Sequence, residues 1–127
     1  IARELFTADT TQVHLFAVII NNPAFNMNQA VFDVISYNID NYTTDNYRTE
    51  GKISDNKYII ITVAGFRNYK SALSYYNSFN TASVIRNQSN AQMFSFVIST
   101  DNLEALATDL NPQRYLIFFR ENYLKTE

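Results

Sequence analysis

Two short segments of this chain are apolar on both sides at once, and that property restricts the fold more than any other. Tyr58–Val63 (YIIITV) is β-branched or aromatic without a break, and Val13–Ile20 (VHLFAVII) is nearly so. Segments this short and this uniformly apolar fit the middle of a sheet that is covered on both faces. The first of them runs into Gly65, one of only two glycines in 127 residues. Asn68 then supplies an N-cap, and Tyr69, Ala72, Leu73, Tyr76 and Phe79 recur at helical spacing. Lys57–Phe79 therefore reads as strand, tight turn and helix, half of a β-α-β unit.

The rest of the chain supplies the other parts. Residues 1–12 are a weakly patterned lead-in, read as a linker. Asn21-Asn22-Pro23 closes the first strand, because the residue before proline is held extended. Asn26 with Gln29 has the form of a capping box, and Met27, Val31, Val34, Ile35, Ile39 and Tyr42 make a helical stripe. Tyr47–Ile53 alternates Arg48, Glu50 and Lys52 with less polar residues, as a half-exposed edge strand does. Ser54–Asn56 is a hairpin turn into Tyr58–Val63. Thr81–Asn90 reads as a polar loop, and Gln92–Ser99 (QMFSFVIS) as a fourth strand. The order β-α-β-β-α-β with right-handed crossovers predicts an α+β, ferredoxin-like sandwich with a four-stranded antiparallel sheet. Val13–Ile20 and Tyr58–Val63 are its expected central strands. Leu15, Val31, Ile35, Ile59, Ile61, Val63, Leu73 and Tyr76 are expected inside.

C-terminal helices follow this unit. Asp101 and Glu104 are placed to cap a helix carrying Leu103, Leu106, Ala107 and Leu110. Asn111-Pro112 breaks it and starts another, whose stripe is Tyr115, Leu116, Phe119 and Tyr123 with Phe118 alongside. A helix of this length is marginal alone in water, so the stripe must pack on something. Residues 13–127 thus read as one domain, with Leu116 and Phe119 expected to be buried against its own body. The same aromatics, Tyr115, Phe118, Phe119 and Tyr123, are the candidate partner surface if the stripe is instead left open.

Composition excludes several function classes. Hydrophobic residues make up 46%, which excludes a disordered chain, and charged residues only 17%. The net charge is −2, with no basic stripe and no RNP-type aromatic motif, so no nucleic-acid partner is expected. No apolar run approaches the length of a membrane span. There is no cysteine, and the single histidine, His14, lies in an apolar strand without a metal-ligand partner in sequence. The acidic residues Asp40, Asp45, Glu50 and Asp55 lack calcium-loop spacing, and no glycine-rich phosphate loop or G-x-S-x-G motif occurs. No metal, no cofactor and no enzymatic activity is expected. Asn41-Tyr42-Thr43 and Asn87-Gln88-Ser89 match the N-glycosylation sequon, a frequent chance match in an Asn-rich chain.

Several stretches carry a family likeness. HLFAVIINN (His14–Asn22), FDVISYNIDNY (Phe32–Tyr42), ITVAGFRNYKSALSYYNSF (Ile61–Phe79) and FVIS (Phe96–Ser99), with Tyr115-Leu116, Phe118-Phe119 and Asn122-Tyr123, resemble the C-terminal domain of Bacteroidetes tetratricopeptide-repeat proteins. Lipoproteins of the gliding-motility and type IX secretion kind are among these. The resemblance implies a non-catalytic interaction or scaffolding module on the periplasmic side of the cell envelope, with a protein partner there. Val63-Ala64-Gly65-Phe66 followed by Ala72 is similar to the half-repeat of SPOR domains, although those place one residue between Gly and Phe. That likeness implies peptidoglycan binding near Phe66, Arg67 and Tyr69. A small-molecule regulatory domain of the ACT type shares the expected fold and is a third reading.

Overall fold

A computed structural model describes residues 5–86 and 90–124. The sequon at Asn87–Ser89 and the start of the lead-in lie outside these residues. The described elements are β1 (His14–Ile20), α1 (Met27–Asn41), β2 (Arg48–Ser54), β3 (Tyr58–Ala64), α2 (Tyr69–Ser78), α3 (Thr81–Val84), β4 (Met93–Ser99), α4 (Thr100–Asp109) and α5 (Pro112–Phe119), with a π-helical turn at Arg120–Leu124. The strands form one antiparallel sheet in the order β2-β3-β1-β4, the ferredoxin-like arrangement with β1 and β3 in the centre.

The two central strands are apolar on both faces because both faces are covered. Phe16, Val18 and Ile20 lie across from Val63, Ile61 and Ile59, and this face packs on α1 and α2 through Ala30, Val34, Tyr75 and Phe79. Ala17, Ile19, Ile60, Phe94, Phe96 and Ile98 point the other way, onto Leu106 of α4 and Tyr115, Phe118 and Phe119 of α5. The molecule is three layers deep, with the sheet in the middle.

Local chemistry sets the boundaries. The side chains of Asn26, Asn68 and Asn111 accept from Gln29, Ser71 and Arg114 N–H, as N-caps do, and Pro112 opens α5. At the β2–β3 turn Asp55 and Asn56 both take positive φ, the pair that a tight hairpin requires. Gly65 has φ 112°, which a side chain would strain.

Several expectations need correction. The cap of α4 is Ser99, whose Oγ accepts from Asn102 N–H, because the helix begins directly at the end of β4. Thr81–Asn90 is not wholly loop, since α3 occupies its start and turns Ile85 into the core. The lead-in does not behave as a linker where it is described. Phe6 is buried edge-on against Tyr115 at 5.0 Å, and Asn102 ties down both the N–H and the carbonyl of Thr7. Ile59, Ile61 and Val63 are buried as expected, but Leu15, Val31, Leu73 and Tyr76 are only half-buried and Ile35 is exposed. In the C-terminal stripe Phe119 is fully buried, while Leu116 is half-buried on the margin of the same core.

Candidate interaction surface

The seven sequence-nominated residues do not form one surface. Tyr115, Phe118 and Phe119 are buried between sheet and helix and are not open to a partner. Tyr115 donates its hydroxyl to the Val97 carbonyl at 2.7 Å, and burial holds its phenol well above the ordinary range. Tyr123 is half-buried and bonded to His14, 2.7 Å from ring Nε2. The carbonyl of Gln12 lies 2.8 Å from Nδ1 and can only accept, so Nδ1 carries the proton and the Tyr123 hydroxyl donates to Nε2. His14 is thus a satisfied structural residue, and burial holds its pKa below the usual histidine value. Of the remaining three, Phe66 packs on Tyr47 with ring centroids 4.6 Å apart, whereas Tyr69 faces His14 and Tyr123. Arg67 alone is exposed. Phe66 and Tyr69 therefore serve different clusters.

The open surface lies instead along α1 and β2. Asp33 and Asn38 are turned inward on α1, while Phe32, Ile35 and Ile39 are 60%, 38% and 61% exposed. The helix buries Ala30 and Val34 but leaves this part of its apolar arc outside, against the usual preference. The inward polar groups explain it. Tyr75 donates to Asn38 Oδ1 at 2.5 Å, and Asn38 Nδ2 donates to Thr49 Oγ1 at 3.2 Å, which ties α2, α1 and β2 together. Asp33 accepts from Gln29 Nε2 at 2.8 Å and from Arg86 N–H at 3.3 Å. Among the described residues no buried side-chain nitrogen or oxygen lacks a partner. Once Asn38 and Asp33 are anchored, Ile35 and Ile39 must swing outward.

Gly51 brings the helix and the edge strand together. A Cβ there would lie 2.8 Å from Val31 Cγ2, so α1 crosses β2 where β2 has no side chain. Between the C-terminal half of α1 and the start of β2 runs a groove of about 190 Å³, with Ile35, Ile39, Tyr42 and Tyr47 on its walls. β2 is the outermost strand on this side, so half of its backbone amides and carbonyls have no strand to pair with. Arg48, Glu50 and Lys52 are exposed on it, and Ile53 is 49% exposed.

The sequence concealed this surface. Ile35 and Ile39 belong to the apolar stripe that periodicity assigns to the core, and Phe32 lies off that stripe. The available signal was the near absence of charge on α1, whose only charged residues are Asp33 and Asp40. Among the described residues no group of three or more His, Asp or Glu is placed to hold a metal, and no helix is long and apolar enough to cross a membrane. No protein-family model, curated protein or solved structure matches this chain.

Proposed function

We propose that this domain is a non-catalytic protein-interaction module whose working surface is the α1–β2 side. The observation that carries the reading is the coincidence of an unpaired edge strand with an uncharged apolar helix face directly beside it. An edge strand next to a groove offers main-chain hydrogen bonds for affinity and side-chain pockets for selectivity, the physical basis of strand addition. The buried titratable side chains support the non-catalytic part. His14, Tyr75 and Tyr115 each hold a structural hydrogen bond. The cell-envelope setting implied by the resemblance to tetratricopeptide-repeat lipoproteins belongs to the same proposal and rests on that resemblance alone. Peptidoglycan binding through Phe66, Arg67 and Tyr69 is not favoured, because Phe66 and Tyr69 pack into separate clusters.

A displayed library of extended peptides, selected on the intact domain and counter-selected on Ile39→Glu, tests the reading. The expected result is enrichment of peptides that shift the amide resonances of β2 and α1 and lose binding to the variant. Peptides that shift only residues around Arg67, or no enrichment at all, overturn it.

A further inference from the structure

Rather than an unrelated strand, one occupant accounts for both the open edge and the exposed helix face. We propose that the domain self-associates by antiparallel pairing of β2 with β2 of a second copy, about a two-fold axis through Gly51. The proposal rests on the α1–β2 side being a docking face and names what docks there.

Charge selects the register. Directly opposed residues in an antiparallel pair lie on the same face, so a two-fold axis that keeps both α1 helices on one side must pass through a residue position. With the axis at Glu50, Glu50 meets itself and Arg48 meets Lys52 of the second copy, so every opposition on that face is between like charges. With the axis at Lys52, Lys52 meets itself. With the axis at Gly51, Glu50 faces Lys52 of the second copy twice, Arg48 faces Ser54, and Thr49 faces Ile53. Gly51 is also the midpoint of Arg48–Ser54, so this register alone pairs the strand over its whole length. An axis at Thr49 also opposes Arg48 to Glu50, but leaves the second half of the strand without a partner.

The helices fit the same axis. Because α1 crosses β2 at Gly51, the axis brings two α1 helices side by side over the joined strands. Packed helices approach to about 8–10 Å, which requires facing surfaces free of charge. Ile35 and Ile39, on the flank beside β2, meet that requirement. Asp33 is turned inward, and Asp40 lies on the opposite flank, in the groove toward Ser78 and Arg86. The far edge of the sheet is covered by α5, so the association closes at two copies in one eight-stranded sheet and does not extend into a filament.

Sedimentation velocity across the micromolar to millimolar range tests the proposal, using the intact chain and three variants: Glu50→Lys, Lys52→Glu and the double swap. All of these positions are exposed, and thermal melts confirm folding. The wild type is expected to form a concentration-dependent dimer. Each single variant places like charges in opposition and raises the dissociation constant about tenfold or more. The double swap restores dimerisation, and an equimolar mixture of the two single variants forms the heterodimer. A wild type that remains a monomer at millimolar concentration overturns the proposal, as does a dimer indifferent to these charges. The peptide selection separates the two levels of inference. A monomer whose β2 edge still takes selected peptides removes the second copy and leaves the docking face, whereas a monomer that takes none removes both.

Discussion

The two edges of the sheet are treated in opposite ways. At the β4 edge the backbone pairs Asn21–Gln92 and Val13–Thr100 bracket the ladder, which leaves the Met93, Ser95, Val97 and Ser99 carbonyls pointing away from β1. Tyr115 takes the Val97 carbonyl, and α5 carries on past the edge, where Phe119 meets Tyr76 of α2 at 5.0 Å and Tyr123 reaches His14. The C-terminal segment is a strap from one face of the sheet round to the other. At the β2 edge nothing comparable is present among the described residues, and the helix beside it turns isoleucines outward. One edge is packed under a helix while the other, among the described residues, is left to solvent.

Removing the strap breaks this contrast most severely. Truncation before Pro112 takes away Tyr115, Phe118 and Phe119, each worth about 1.5–3 kcal/mol of burial, and exposes one face of the sheet. The expected loss is several kcal/mol, a large share of a small domain's stability, and calorimetry should show a broad or missing transition. Asn38→Ala comes next, because it leaves the Tyr75 hydroxyl buried without an acceptor. Chemical denaturation should show a loss of about 2–3 kcal/mol. Tyr115→Phe removes a single hydrogen bond at the sealed edge. It should lower stability by about 1 kcal/mol and speed hydrogen exchange in β4. At the open edge, Ile39→Glu should change stability by less than about 0.5 kcal/mol while abolishing association. An equal penalty at the two edges would erase the distinction.

The seal should also respond to pH at both extremes. Burial lowers the His14 pKa below its unfolded value, so on acidification the unfolded chain takes up the proton first. Stability is therefore full above about pH 6.5 and falls as the pH drops through the folded value. Burial pushes Tyr123 up to about 12, so the unfolded chain loses the phenolic proton first and stability falls as the pH rises from about 10 towards that value. Melting curves of His14→Gln should be flatter between about pH 5 and 7 than those of the parent.

The frame of the fold was legible in the sequence because its signals are local. YIIITV, Asn68 with its helical stripe, and Asn111-Pro112 each declare an element within one or two turns of chain. The rotation of α1 was not legible. A stripe such as Met27, Val31, Val34, Ile35, Ile39 and Tyr42 defines an apolar arc, but two long-range partners, Tyr75 and Arg86, decide which part of that arc faces inward. Phe6 and Ile85 were missed for a related reason, since each belongs to a short apolar pair, Leu5-Phe6 and Val84-Ile85, that shows no strand or helix period. The aromatics of α5 were nominated for a partner because amphipathicity alone does not distinguish a chain's own sheet from another molecule's surface.

The strap also has a place in time. It is built from the last described helix, so during synthesis β4 leaves the ribosome before anything exists to cover it. For that interval, about one to a few seconds at ordinary elongation rates, the growing chain presents two sticky margins. Emergence of Pro112–Phe119 covers the β4 margin and brings Tyr115 to the Val97 carbonyl.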